Sequence, residues 1–264
     1  MILKNKNAVI YGAGGAIGSA VARAFAREGA RVFLTGRNIL LIEAVAKEIL
    51  AAGGIAETAL VDALDENSIN KHLDTVIEKA GGIDISFNAT GIPQTGIQGI
   101  PLVQLSSESF ILPVMTYSKS HFQTAKAAAQ RMMDNKAGVI ITLTATPSRV
   151  AAPLVGGMAL AWASIEAFTR ILAGEMGSYG IRVVCLRPDG IPETDTITNV
   201  FGLHARGAGM KSHKEFQSLM ENMTLLKRLP TLAEVANTAV FIASDHASAI
   251  TGTVINLSCG SIVD

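Results

Sequence analysis

The stretch Val9-Ile10-Tyr11-Gly12-Ala13-Gly14-Gly15-Ala16-Ile17-Gly18 decides the fold of this chain. Its apolar, β-branched beginning is typical of a strand, and the glycines that follow are typical of a tight turn. Ile17, Val21 and Phe25 then recur at helical spacing, which predicts an amphipathic helix. Glycines let the backbone approach a ligand closely, and the free N–H groups of a helix N-terminus suit a pyrophosphate. We therefore expect this turn to bind a dinucleotide rather than to be an ordinary strand–helix connection. The expected contacts are Gly12, Gly14, Gly15, Ile17 and Gly18.

The next predicted strand, residues 31–35, is followed by Arg37 and Asn38. At this position an acidic side chain binds the ribose 2′-hydroxyl of NAD, whereas a basic side chain accommodates the 2′-phosphate of NADP. No carboxylate occurs between Glu28 and Glu43. The alternative is a solvated loop arginine. We expect Arg37 and Asn38 to bind the cofactor, and the chain to prefer NADP(H) over NAD(H).

The composition narrows the class of protein. A chain of 264 residues, 49% hydrophobic and 17% charged, suits one α/β domain with a buried parallel sheet and extensive contacts between subunits. The formal net charge is zero, so there is no electrostatic basis for binding nucleic acid or an anionic membrane. The uncharged residues 150–165 are too few for a membrane span and are interrupted by Pro153, Gly156 and Gly157.

The two cysteines, Cys185 and Cys259, have neither metal-ligand nor CxxC spacing. We expect both to be buried thiols in a reducing compartment. The first strand begins within a few residues of Met1, which leaves no room for a secretory signal. These features predict a cytoplasmic protein.

Strands and helices alternate along the rest of the chain. Strands are predicted at 55–61, 83–87, 138–143, 181–186 and 253–257, and helices at 39–52, 66–80, 110–135, 155–176 and 231–243. This alternation predicts a doubly wound parallel sheet between two helix layers, the three-layer αβα Rossmann fold, as a single α/β domain over residues 1–264. Ligands of such folds bind beyond the carboxyl ends of the strands. We therefore expect cofactor contacts after the third and fourth strands, at Asp62, Ala63, Asn88, Ala89 and Gly91.

Residues 189–230 show no clean periodicity, and a long irregular insertion after a strand is typical of a substrate lid. A partly disordered loop is the alternative. His204 and His213 are expected to be solvated, and no third ligand accompanies them, so no metal site is predicted. Large, adaptable apolar side chains are expected to form the inner face of the lid: Phe201, Met210, Phe216, Met220 and Met223.

Along essentially its whole length the sequence resembles the short-chain dehydrogenase/reductase family. The segment 12–18 resembles the T-G-x-x-x-G-I-G loop, with Tyr11 in place of Thr and Ala16 in place of the middle Gly, and 88–91 resembles N-N-A-G. Residues 234–236, 241–245 and 250–252 match the C-terminal pattern of the family. The resemblance implies an oxidoreductase that forms a homotetramer or homodimer through its long helices and last strand. It also implies that a P-G…T-like segment lies against the nicotinamide, with contacts from Pro188, Gly190, Ile191 and Thr194.

The catalytic residues of that family are absent. Its members use a serine, a tyrosine and a lysine, with Tyr and Lys spaced i,i+4 on one helix face. The tyrosines here, Tyr11, Tyr117 and Tyr179, are followed four residues later by Gly, His and Val. Alignment of the helix and the following strand leaves other side chains at the family positions: Ala145 for Ser, Met158 for Tyr, Trp162 for Lys and Tyr117 for the assisting Asn.

Two hypotheses explain this change. In the first, the protein reduces a hydrophobic ketone or 3-oxoacyl substrate with Tyr117 as a relocated proton donor and with Thr144, aided by Thr146 or Ser148, binding the carbonyl oxygen. Tyr117 and His121 share a helix face and are the acid–base candidates, although a packed pair is the simpler interpretation. In the second, the protein binds NADP(H) without turnover, as a sensor or a structural subunit, with Met158 and Trp162 filling the usual catalytic space.

Overall fold

The structure, a computed structural model, describes residues 1–263, so Asp264 of the predicted domain lies outside the described residues. Within them, a seven-stranded parallel sheet has the order β3-β2-β1-β4-β5-β6-β7. The strands are β1 Asn7–Tyr11, β2 Arg31–Gly36, β3 Ile55–Leu60, β4 Ile85–Asn88, β5 Gly138–Leu143, β6 Ile181–Pro188 and β7 Thr253–Leu257. The α-helices are α1 Ala16–Arg27, α2 Ile39–Ala51, α3 Glu66–Ala80, α4 Ser107–Met132, α5 Met158–Met176, α6 Asp195–Gly207, α7 His213–Met223 and α8 Leu232–Ala243. The predicted doubly wound α/β fold is confirmed.

Two hydrophobic clusters, one on each face of the sheet, produce the three layers. On one face, Phe25 of α1, Ile42 of α2 and Ala239 of α8 pack against the strands. On the other, Leu73 of α3 and Ala128 of α4 pack with residues of α5. The strands are buried on both faces, which accounts for their almost continuous apolar sequences.

The order of the strands reverses between β1 and β4. Tyr11, the last residue of β1, is in register with Thr35 of β2 on one side and with Asn88 of β4 on the other. The connections that follow β1 and β4 leave toward opposite faces, which opens a crevice at this switch point. The glycine turn after Tyr11 therefore begins in the crevice.

Two of the predicted helices begin or end elsewhere. Helix α4 begins at Ser107 rather than at residue 110, because the Ser106 side chain accepts a hydrogen bond from a first-turn N–H, and it ends at Met132. Helix α5 begins at Met158 rather than at residue 155, because Leu154 and Gly156 adopt positive φ angles of 64° and 60°.

The prediction of an irregular segment at 189–230 is wrong, since this segment contains α6 and α7. Thr194 caps α6 by accepting the Ile197 N–H at 3.2 Å, and Ser212 caps α7 by accepting the Glu215 N–H at 3.3 Å. Gly202, inside α6, weakens the helical pattern of the sequence without preventing the helix.

The cysteines differ from each other. Cys185 is fully buried, whereas Cys259 is only half-buried, which corrects the expectation of two buried thiols. Neither forms a disulfide within the described residues. Over residues 1–263, no helix is both long and apolar enough to cross a membrane.

Candidate active site

A cavity of about 900 Å³ opens at the carboxyl ends of the strands. Its walls come from the turn after β1, the ends of β2 to β6, and helices α6 and α7. Most of the predicted cofactor-binding residues lie on these walls: Gly12, Gly14, Gly15, Ile17, Gly18, Arg37, Asn38, Asp62, Ala63, Ala89, Gly91, Pro188, Gly190, Ile191 and Thr194.

The glycine turn is packed too closely for side chains. Gly12 has a φ of 73°, and a Cβ added there would lie 2.6 Å from the carbonyl oxygen of Ala89. A Cβ at Gly18 would lie 2.3 Å from the carbonyl oxygen of Gly12. No side chain caps α1, whose N-terminus begins at this turn. The exposed backbone and the uncapped helix end therefore fit the pyrophosphate of a dinucleotide.

Polar groups farther along the cavity fit the rest of such a cofactor. Arg37 is exposed at the end of β2, and the side chain of Asn38 caps α2 by accepting the Leu40 N–H at 3.1 Å. Asp62 accepts the Leu64 N–H at 3.0 Å beside the cavity. Thr90 lines the cavity, and its buried hydroxyl has no hydrogen-bond partner among residues 1–263.

Asn88 does not line the cavity, in contrast to its predicted contact with the cofactor. It is 3% exposed, its Nδ2 donates to Thr124 Oγ1 at 2.9 Å, and its Oδ1 accepts the Thr90 N–H at 2.9 Å. Asn88 therefore fixes the end of β4 against α4 and positions the wall residues that follow it.

The segment after β6 places a carboxylate at the cavity. Asp189, which follows Pro188, accepts hydrogen bonds at Oδ1 from Thr146 Oγ1 at 3.1 Å and from the Gly190 N–H at 2.7 Å, and at Oδ2 from Ser261 Oγ. The sequence indicated this unusual carboxylate, because Asp189 follows Pro188 where the P-G pair of the family has its glycine. The hydrogen bond to Asp189 Oδ1 engages the hydroxyl of Thr146, which was one of the candidates for binding a carbonyl oxygen.

The three positions that usually carry the family's catalytic side chains are not equivalent. Ala145 and Trp162 line the cavity, whereas Met158 is fully buried and does not. Met158 packs with Val155 and Ile165 beneath the wall. None of these side chains carries an acidic proton that could be transferred near neutral pH.

Thr144, the second catalytic candidate, lines the cavity but its hydroxyl is engaged. Its Oγ1 lies 3.2 Å from Glu166 Oε1 and 3.3 Å from Cys185 Sγ, and the residue is 3% exposed. The Ser148 hydroxyl also donates to Glu166 Oε1. These hydroxyls support the wall and have no proton left to donate to a ligand.

Tyr117 and His121 lie on the same helix face, but only Tyr117 reaches the cavity. His121 is 1% exposed, and its Nδ1 lies 3.0 Å from the carbonyl oxygen of Tyr117. Burial lowers the pKa of His121 to about 4, so its ring is neutral. His121 is therefore part of the packing of α4, as the simpler interpretation holds.

The Tyr117 hydroxyl lies close to the end of β4, since a Cβ added at Gly91 would lie 4.0 Å from it. Burial raises the pKa of Tyr117 to about 12, while hydrogen bonds with the Ile92 backbone and the Gln94 side chain oppose the increase. The phenol is therefore protonated near neutral pH, as a proton donor must be.

Helices α6 and α7 cover the cavity with apolar side chains. Phe201, Phe216, Met220 and Met223 line it as predicted, and the Phe201 and Phe216 ring centroids lie 5.4 Å apart, whereas Met210 does not line it.

The prediction of a solvated His204 is wrong. Its ring is 7% exposed, packs 5.2 Å from the Phe216 ring, and lies with Nε2 2.9 Å from Gln98 Oε1. Gln94 and Gln98, both buried on the cavity wall, were not predicted. Their loop offered only a glycine- and proline-rich pattern, which does not indicate burial. No cluster of three or more metal-ligating side chains occurs within residues 1–263.

Comparisons with known proteins agree with this architecture. A family model described as Enoyl-(Acyl carrier protein) reductase matches residues 12–261. The Bacillus subtilis (strain 168) protein described as Uncharacterized oxidoreductase YxbG is 33% identical over 258 residues, which cover 98% of this chain and 91% of that protein. A Caenorhabditis elegans protein described as Probable 2,4-dienoyl-CoA reductase 3, (3E)-enoyl-CoA-producing, is 30% identical over 262 residues. These residues cover 98% of this chain and 81% of that protein. The crystal structure of NAD⁺-bound xylitol dehydrogenase superimposes on this chain with a TM-score of 0.93 at 22% identity. The superposition covers 98% of this chain and 100% of the xylitol dehydrogenase chain. At this level of identity the similarity shows the fold only.

The cavity at the switch point, the glycine turn and these similarities define an oxidoreductase of the Rossmann type. The chain belongs to the short-chain dehydrogenase/reductase family.

Proposed function

We propose that the protein binds NADP(H) in preference to NAD(H) and reduces a hydrophobic carbonyl compound, with Tyr117 as the proton donor. The observation that carries this proposal is the place of Tyr117: the residue lines the cavity, and its hydroxyl lies close to Gly91, after the strand end predicted to contact the cofactor. Arg37, exposed at the end of β2, supports the preference for a 2′-phosphate.

A bound nicotinamide would supply the hydride, and the chain would supply the proton and the environment. Tyr117 Oη would give its proton to the carbonyl oxygen as negative charge develops there, and the resulting phenolate would then be reprotonated from solvent. Because the pKa of the buried phenol is about 12, it favours the protonated form before transfer. Thr144 is kept only as a wall residue in this proposal, since its hydroxyl is engaged.

The substrate class follows from the cover of the cavity, which we propose acts as a lid over residues 189–230. Phe201, Phe216 and Met220 present an apolar surface that suits an aliphatic ketone or a 3-oxoacyl thioester. The name of the nematode relative, a probable dienoyl-CoA reductase, supports an acyl thioester in particular.

A second candidate function is cofactor binding without turnover. It is favoured by one observation: an alanine, a methionine and a tryptophan occupy the family positions of Ser, Tyr and Lys at Ala145, Met158 and Trp162. Such a protein would act as a sensor or as a structural subunit.

We also propose a homotetramer or homodimer in a reducing, cytoplasmic environment. Apolar side chains along α4 and α5 are exposed, among them Met115 at 61%, Phe122 at 51% and Ile171 at 62%. Both cysteines are free thiols. Light scattering of the purified protein tests the association, and a monomer would contradict it.

The two functions are separated by incubating the protein with NADPH and a panel of ketones and 3-oxoacyl thioesters while the absorbance of the reduced nicotinamide is followed. Turnover that falls by about 10²-fold or more in Tyr117→Phe supports the proposed reductase. Tyr179→Phe, outside the cavity wall, is the matched control. Bound NADPH without turnover of any compound favours the second function.

A further inference from the structure

The carboxylate of Asp189 is held from three directions at the carboxyl end of β6. Its Oδ1 accepts hydrogen bonds from Thr146 Oγ1 at 3.1 Å and from the Gly190 N–H at 2.7 Å, and its Oδ2 accepts one from Ser261 Oγ. The residue is 6% exposed and lines the cavity. Because both oxygens accept hydrogen bonds from donors, the arrangement fits the ionised form of the side chain, which has no proton to donate. These bonds fix a negative charge in the cavity wall.

This charge has no partner cation among residues 1–263. Asp189 forms no ion pair there, and the neighbouring Arg187 pairs with Glu166. Of the described residues that line the cavity, Arg37 is the only lysine or arginine, and it follows β2, on the other side of the switch point between β1 and β4. Trp162 occupies the family position of the lysine. On the described part of the wall formed by the ends of β4, β5 and β6, Asp189 is therefore the one acidic side chain, with no lysine or arginine beside it.

The nicotinamide of the expected cofactor belongs on this side of the cavity. A dinucleotide spans the switch point of a doubly wound sheet, with one half on each side of it. The pyrophosphate fits the glycine turn after β1, and Arg37, after β2, is expected to contact the phosphate of the adenosine half. The nicotinamide half then extends over the ends of β4, β5 and β6, where Asp189 lies. Its ring carries a positive charge when oxidised and none when reduced, so a buried carboxylate interacts differently with the two forms.

We propose that Asp189 makes the cavity bind the oxidised coenzyme in preference to the reduced one, because its carboxylate attracts the cationic ring of NADP⁺ and not the neutral ring of NADPH. This inference rests on the cofactor binding of the proposed function and does not depend on Tyr117. The glycine that the family has at this position offers no such charge. Tighter binding of the oxidised form makes the bound reduced form a stronger hydride donor, which favours the proposed direction of the reaction, the reduction of a carbonyl compound.

Calorimetric titration of the purified protein with NADP⁺ and with NADPH tests this preference without any substrate. We expect the unmodified protein to bind NADP⁺ about tenfold more tightly than NADPH, owing to the attraction between one buried carboxylate and one cation. Asp189→Asn keeps the shape and one acceptor oxygen but removes the charge, so it should weaken the binding of NADP⁺ by about tenfold and leave that of NADPH nearly unchanged. Asp195→Asn is the matched control, because Asp195 is an exposed carboxylate of α6 that does not line the cavity. It should change neither affinity.

Ser261→Ala separates the charge of Asp189 from its hydrogen bonds. It removes the donor to Oδ2 and retains the carboxylate, so the preference for NADP⁺ should persist. A loss of preference as large as in Asp189→Asn would assign the carboxylate a merely structural role and contradict the proposal. An unmodified protein that binds NADPH as tightly as NADP⁺ overturns it as well, even if Asp189→Asn does not fold, and leaves the proposed reductase to be decided by turnover. The expected preference without turnover of any carbonyl compound rejects the reductase alone, and failure to bind either form rejects both.

Discussion

Glu166 of α5 and Arg187 of β6 form an ion pair in the interior, with Oε2 and Nη1 3.3 Å apart and side chains only 4% and 1% exposed. Glu166 also accepts hydrogen bonds from Thr144 and Ser148, which lie on the segment beside the cavity. One buried carboxylate therefore connects α5, β6 and the connection after β5, and it fixes the wall on which Ala145 lies.

Arg187→Met should destabilise the protein by about 3–5 kcal/mol, because it removes a cation that faces the buried Glu166 carboxylate. Urea unfolding of Arg187→Met and of the unmodified protein measures the difference in the free energy of unfolding. Lys126→Met removes one member of an exposed pair, with Glu66, whose side chains are 41% and 46% exposed, and should cost less than about 1 kcal/mol. Similar losses in the two variants would show that burial of the pair does not matter.

Arg37→Ala should lower the affinity for NADPH by about 10-fold or more and leave the affinity for NADH nearly unchanged, because the side chain is expected to contact only the 2′-phosphate. Calorimetric titration with each cofactor gives the two constants. Arg23→Ala is a suitable control, since Arg23 pairs with Glu48 on the outer surface. Equal affinities for NADPH and NADH in the unmodified protein would refute the preference.

Trp162 is the only tryptophan of the chain and lines the cavity. We expect NADPH to quench its emission by energy transfer to the reduced nicotinamide. Trp162→Phe should abolish the signal while retaining cofactor affinity measured by calorimetry. An unchanged emission spectrum at saturating NADPH would mean that the nicotinamide does not lie near this wall.

His121 should make the protein less stable in acid. Its pKa is about 4 in the folded protein, against about 6.5 when unfolded, so between these values only the unfolded chain binds the proton. Stability is therefore fully present above pH 6.5 and falls as the pH decreases toward 4. His121 should lower the free energy of unfolding by about 2 kcal/mol between pH 7 and pH 5.

Urea unfolding at several pH values measures this effect, and His121→Leu should show a shallower dependence on pH. His72, whose pKa burial also lowers to about 4, retains its own contribution in that variant. Identical pH profiles for the two proteins would exclude a neutral, buried His121.

The parts of the site that depend on local pattern could be predicted from the sequence. Gly12, which has a positive φ, and Gly18, which packs against the Gly12 carbonyl oxygen, belong to a turn within residues 12–18, and Arg37 follows directly from the end of a strand. The cap of α7 also had a local signal that was overlooked: Ser212 and Glu215 have the spacing of a capping box.

Other parts depend on contacts that no local pattern contains. His204 and Gln98 are 106 positions apart, and their burial follows from how α6 folds back over the loop after β4. Met158 and Trp162 occupy successive turns of one helix, yet only Trp162 reaches the cavity, because Met158 is covered by Ile97 and Val155. Such differences arise from tertiary packing, which periodicity does not reveal.

The strand order has a consequence for synthesis of the protein. The cavity is lined by residues as far apart in the sequence as Tyr11 and Ser261. The crevice has two sides only when β4 has paired with β1. A nascent chain that has emerged only through β3 exposes the glycine turn with nothing facing it. The crevice therefore gains its second side only after β4 has been made, and the cavity is complete only after Ser261 has been made.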